Sequence, residues 1–186
     1  MSNLLAPGYI LRRPTLDDAP AVHALLTSVE RALPGEPAGA TIQDLLEIWR
    51  RIDLSHDAWV VIGAEGDLAG YGYARRRQFV RNNVEVYVHP AHCDQGIGIT
   101  LLCLAEAWAQ ESVSLVPPGT EVFVTNWINA RNPAARALLE REGYRPVRFF
   151  RRMGVALDTA LPAPSWPGEI TVRTAAEIGD VQPFYQ

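Results

Sequence analysis

Val84-Glu85-Val86-Tyr87-Val88-His89-Pro90, then Ala91-His92-Cys93-Asp94, then Gln95-Gly96-Ile97-Gly98-Ile99-Thr100-Leu101-Leu102, is the stretch on which the fold turns. Val84, Val86 and Val88 alternate with Glu85, Tyr87 and His89, which predicts a strand with two chemically different faces. Pro90 ends that strand because proline cannot continue a ladder. Ile97, Leu101, Leu104 and Trp108 recur three or four residues apart, which predicts a helix. At its mouth Gly96 and Gly98 let backbone amides approach a ligand, and the first-turn N–H groups have no acceptor inside the helix. With the helix dipole this makes an anion site suited to phosphate, and Glu85 places a carboxylate beside it.

Working outward, Tyr9 to Arg13 reads as a short strand, and Thr15 with Asp18 as a capping box opening a helix through Val22, Leu25, Leu26 and Val29. Leu33 to Ala40 is a loop rich in proline and glycine. A second cap at Thr41 and Asp44 starts a helix carrying Leu45, Ile48, Trp49 and Ile52. Ala58 to Ala64 and Leu68 to Arg75 are strands joined by the hairpin signal Glu65-Gly66-Asp67. Gln78 to Asn83 is read as a loop. After the central helix, Pro117-Pro118-Gly119 is a break, Glu121 to Thr125 a strand, and Asn132 to Glu142 a helix stopped by Gly143. Arg145 to Leu157 is extended and rich in Phe, Val and Arg.

Asp158 to Pro167 holds three prolines and reads as a linker. Beyond it Pro167-Gly168-Glu169-Ile170-Thr171-Val172-Arg173 resembles Pro7-Gly8-Tyr9-Ile10-Leu11-Arg12-Arg13, with Pro, Gly, Ile and Arg repeated at an offset of 160. The expected organisation is one domain over residues 1–157, a linker over 158–167, and over 168–186 the start of a second, incomplete copy.

The chain has 186 residues with a net charge of −4, which gives no basis for a nucleic-acid surface. No apolar run has the length of a membrane span, and Met1 to Gly8 lacks the basic and apolar regions of a signal peptide. The two cysteines, Cys93 and Cys103, lie in one strand–helix unit, which fits a reducing cytoplasm better than a disulfide framework. His89, His92, Cys93 and Asp94 are consecutive loop residues that seldom converge on one metal, so they are read as rim residues with no metal assigned. Arg75-Arg76-Arg77 reads as an exposed strand end, with a grip on an acidic ligand as the other reading. Trp49, Trp59 and Trp108 are core; Trp127 lines the variable side.

The order strand, two helices, three antiparallel strands, helix, strand, helix, strand, together with Gln95-Gly96-Ile97-Gly98, resembles the GNAT superfamily of acetyl-CoA-dependent N-acetyltransferases. A second signature is similar: Asn132, Ala135, Leu138-Leu139-Glu140 and Gly143-Tyr144. The resemblance covers about residues 8 to 157. It implies an α+β, three-layer fold with a central mixed, mostly antiparallel sheet flanked by helices. The partial repeat resembles tandem members of the superfamily such as the mycothiol synthase-like proteins.

The resemblance further implies acetyl-CoA as cofactor, its pyrophosphate on the amides of Gln95, Gly96, Ile97, Gly98 and Ile99, and its pantetheine along Val86, Tyr87 and Val88. Asn132 matches a cofactor-contacting position. Glu85 corresponds to the base that deprotonates a primary amine of a small molecule or peptide, which attacks the acetyl group directly. Three positions depart from the pattern. Cys93 stands where Arg or Gln is usual, Asp94 adds an anion close to the two phosphate charges, and Leu139 stands where a tyrosine protonates the departing thiolate, leaving Tyr144 or Tyr87 for that task. The alternative implied is a non-catalytic, CoA-binding or structural half of a tandem protein. A homodimer is left open.

Overall fold

Strands β1 (Ile10–Arg12), β2 (Ala58–Ile62), β3 (Leu68–Arg77) and β4 (Arg81–Val88) lie side by side in sequence order and antiparallel, and β5 (Phe123–Asn126) adds to β4 in parallel. The computed structural model describes residues 5–35, 39–77, 80–151, 153, 155–156, 158 and 163–178. The chain divides into two units, Met1–Arg145 and Pro146–Gln186.

In the first unit, period-two alternation distributes the side chains to two cores. Ala58, Val60, Tyr71 and Tyr73 face α1 (Ala19–Ala32) and α2 (Ile42–Trp49), which contribute Val22, Leu25, Leu45 and Trp49. Trp59, Val61, Ala74 and Val84 face α3 (Ile97–Gln110), which contributes Ile97, Leu101, Leu102, Ala105 and Trp108. This is the expected three-layer α+β arrangement. A Cβ on Gly70 would run into Ile97 Cγ2, so glycine there lets α3 settle onto β3.

Thr41 and Asp44 form the predicted capping box, Thr41 Oγ1 accepting from the Asp44 amide at 3.2 Å. Asn132 caps α4 (Pro133–Arg141) by accepting the Ala135 amide at 3.0 Å. Gly143 follows α4 with φ +88°, the left-handed stop expected of it.

Four details differ from the sequence reading. Helix α2 ends at Trp49 and Ile52 lies in the turn beyond, where Asp57 accepts the Asp53 amide. Strand β4 begins at Arg81, so Arg81 to Asn83 are ladder residues, not loop. Strand β5 runs from Phe123 instead of Glu121. No strand forms after α4 among the described residues; Arg145 to Arg151 find no ladder partner, and the sheet has five strands. Of the expected loops Leu33 to Ala40 and Gln78 to Asn83, residues 36–38 and 78–79 lie outside the described residues, as does 179–186 of the expected repeat.

Among its described residues, the second unit forms one helical turn, α5 (Ala175–Ile178). Thr174 and Glu177 cap it reciprocally, at 2.6 Å to the Thr174 amide and 3.3 Å to the Glu177 amide. The same box, Thr15 with Asp18, follows β1 in the first unit.

Candidate functional site

The mouth of α3 is built by two left-handed residues, Asp94 at φ +62° and Gly96 at φ +75°. The first helical bond runs from Thr100 N–H to the Gly96 carbonyl at 3.1 Å. Among the described residues no acceptor is found for the amides of Gln95, Gly96, Ile97, Gly98 and Ile99, and no side chain caps the helix. Five N–H groups therefore face outward at the positive end of a 14-residue helix. The Asp94 side chain is exposed, so water weakens its repulsion of an anion at this mouth. Gly98 packs α3 against α4, since a Cβ there would lie 3.1 Å from Leu138 Cδ2.

The loop is moored from two sides. Ala6 N–H donates to the Gln95 carbonyl at 3.1 Å. His92 bridges Asp67 on the β2–β3 hairpin and Tyr9 before β1, at 2.5 and 3.0 Å.

The sheet opens beside this mouth. Parallel pairing of β4 with β5 runs through Arg81↔Phe123, Asn82↔Val124, Asn83↔Thr125 and Val84↔Asn126, and stops. From Glu85 to Val88, β4 pairs only with β3, leaving one edge of its backbone unclaimed by the sheet. An extended amide-bearing ligand can pair there.

On the α1–α2 face of the same strand, Glu85 accepts from Tyr87 Oη at 2.5 Å and from Asn83 Nδ2 at 3.1 Å. Asn83 Oδ1 in turn accepts from Thr125 Oγ1 at 3.2 Å and Trp127 Nε1 at 2.8 Å. Tyr73 stands opposite Glu85 in the ladder. Burial, and next the Glu85 charge, push the Tyr73 and Tyr87 hydroxyls far above the ordinary phenol value. Both are therefore protonated donors at neutral pH. Tyr73 is a third side-chain donor toward the carboxylate, so Glu85 is held by Asn83, Tyr73 and Tyr87 together.

The remaining sequence candidates fall as follows. Asn132 spends its Oδ1 on the cap and keeps its NH₂. Tyr144 donates to Glu106 Oε1 at 2.8 Å; burial and that carboxylate raise its hydroxyl strongly. Leu139 packs against the α3-side core. Sequence reasoning missed Asn83 and Tyr73; the polar pair Asn82-Asn83 just ahead of the valine alternation was the available signal.

Residues 55–146 match the family model of the acetyltransferase (GNAT) domain. A mycothiol acetyltransferase of Cellulomonas flavigena is 35% identical over 118 residues, 62% of this chain and 32% of that protein. The crystal structure of a GCN5-related N-acetyltransferase from Sphaerobacter thermophilus superposes with a TM-score of 0.79 at 35% identity, covering 91% of this chain and 54% of that one. The fold is also that of yncA from Salmonella typhimurium, solved with its cofactor acetyl-CoA, at a TM-score of 0.61 and 19% identity over 81% of this chain and 87% of that one. The chain belongs to the GNAT acetyltransferase superfamily and resembles its mycothiol synthase-like members. It spans a third of the Cellulomonas relative and about half of the Sphaerobacter chain. Among the described residues no helix is long and apolar enough to cross a membrane.

Proposed function

We propose that this chain binds acetyl-CoA and transfers its acetyl group directly to a primary amine of a small molecule or peptide. The observation that carries the reading is the coincidence, on either side of one turn, of five unclaimed amides at Gln95–Ile99 and an unpaired β4 edge over Glu85–Val88. The first suits a pyrophosphate, the second the amides of a pantetheine arm along Val86, Tyr87 and Val88. The Asn132 NH₂ is a further donor beside α4. Bound acetyl-CoA supplies an activated thioester; the chain supplies position and proton transfer.

Glu85 takes the proton of the incoming amine, directly or through one water, while Tyr87 and Asn83 hold the carboxylate in place. Tyr144 is protonated and able to donate, and doing so to a leaving thiolate means exchanging its bond to Glu106. A site in the cytoplasm, as the two free cysteines suggest, is part of this proposal.

The test is acetyl-CoA binding by thermal shift, followed by thiol release with a panel of amines. Stabilisation with turnover supports the transferase. Stabilisation without turnover on any amine supports the second reading, a CoA-binding half of a tandem protein. One observation favours that second reading: apolar Leu139, partly buried against the α3-side core, stands where the resemblance expects a tyrosine acid. The repeated Pro-Gly…Arg segment with its Thr174–Glu177 cap is, on the same proposal, the opening of the second copy.

A further inference from the structure

A groove of about 290 Å³ lies between α2 and the end of β3, lined by Asp44, Glu47, Ile48, Arg51 and Arg75. Its two acids are already engaged. Asp44 Oδ2 accepts both the amide and the hydroxyl of Thr41 at 2.7 Å, and Glu47 pairs with Arg50 and Gln43. Its two guanidinium groups are not. Among the described residues neither Arg51 nor Arg75 has a side-chain hydrogen bond or ion pair, and Arg75 Nε is buried without an acceptor. The next arginine is different: Arg76 bonds Ser112 and Glu111 and covers the Trp108 ring. A buried N–H lacking an acceptor is unfavourable, and a bound anion would satisfy it.

The groove adjoins Glu85. Arg75 lies opposite Asn83, whose NH₂ bonds Glu85, and two residues along β3 from Tyr73, which lies opposite Glu85. Two residues along a strand span roughly 7 Å. Counting Asp44, Glu47, Arg50, Arg51 and Arg75, the local charge is three positive less two negative, or +1. That suits a single negative charge better than a phosphate dianion.

We infer that the Arg51–Arg75 groove holds a carboxylate of the acyl acceptor, so that the acceptor is an amine carrying a carboxylate several bonds from its nitrogen. The inference rests on the proposal that the Glu85 face receives the acceptor. The test compares 5-aminopentanoate with 5-aminopentanamide, by calorimetric binding to the CoA-saturated protein and then by thiol release with acetyl-CoA. The carboxylate is expected to bind at least about tenfold tighter. Arg75→Gln is expected to bring the ratio close to one, and Arg75→Lys to keep part of it, with thermal melts confirming that both variants fold. Equal binding of the two probes, or a preference that survives in both Arg75→Gln and Arg51→Gln, overturns the inference. Acetylation of the amide but not the acid overturns it too and leaves the transferase standing. An arginine-dependent preference without thiol release overturns the assignment of that carboxylate to an acyl acceptor, while the transferase is decided by the wider panel of amines.

Discussion

His92 Nε2 meets Asp67 Oδ2 at 2.5 Å, tying the loop after β4 to the tip of the β2–β3 hairpin. A carboxylate only accepts, so Nε2 carries the proton, and in the neutral ring Nδ1 accepts from Tyr9 Oη. Gly63 leaves room for the pair: a Cβ there would lie 2.6 Å from Asp67 Oδ1. His92→Ala removes both bonds from a loop whose far end carries the outward amides. We expect a loss of about 1–2 kcal/mol in stability and a several-fold weaker acetyl-CoA affinity. Chemical denaturation and calorimetry measure the two; unchanged affinity would show that the mooring does not position the mouth.

Gly96 at φ +75° is the residue whose backbone an L side chain strains most directly. Gly96→Ala should cost ~1–2 kcal/mol in stability and put a methyl group where a phosphate must approach. The stabilising shift with acetyl-CoA should shrink or vanish. A shift equal to that of the parent protein would place the diphosphate elsewhere.

Glu85→Gln keeps the shape and removes the base. Turnover should fall by about 10²–10³ while acetyl-CoA still raises the melting temperature. Retained turnover would transfer the base role to another group or to solvent.

Gly70 lies under α3, and Gly70→Ala drives a methyl group into Ile97 and against Leu101, 3.2 Å from its Cδ1. Overpacking of this kind costs about 1–3 kcal/mol, and because Ile97 opens α3, cofactor affinity should fall with stability. Differential scanning calorimetry with and without acetyl-CoA tests whether the two losses travel together.

Acid should weaken the start of the chain. The Arg12 guanidinium, bonded to Asp18 at 2.7 and 2.8 Å, with the Thr15 amide, lowers the Asp18 carboxyl from 3.8 to about 2. A folded value below the unfolded one means the stabilisation is complete above about pH 4 and is lost as pH falls toward 2. Solvent screening at exposed Arg12 holds it to about 1 kcal/mol. Asp18→Asn should therefore lower stability at pH 7 and leave it nearly unchanged near pH 2, as read by urea titration at the two pH values.

How much of this was legible depends on how local each cause is. The β4 strand, its glycine turn and α3 follow from alternation and punctuation within a few residues, and so do the caps at Thr41 and Asn132. The four-rung pairing of β4 with β5 depends on register between segments forty residues apart, which no local pattern encodes. Asn82 and Asn83 read as loop because asparagine is uncommon in strands, yet Ser112 donates to Asn82 Oδ1, whose buried Nδ2 has no partner, and Trp127 donates to Asn83 Oδ1. Arg145 to Arg151 carries strand-like composition, yet among the described residues it joins no ladder. Arg75 was one of three equivalent arginines until the fold turned Arg76 toward α3 and left Arg75 beside Asn83.

Neither β5 nor α4 contains a buried residue, and β5 is joined to the rest of the sheet by four rungs alone. One wall of the cleft is thus anchored deep in two cores, while the other leans on Val124, Leu138, Leu139 and Tyr144. The unit has a built-in jaw. Of the elements that line the cleft, β5 and α4 should exchange their amides fastest, and a molecule wedged between the walls should slow exchange there most.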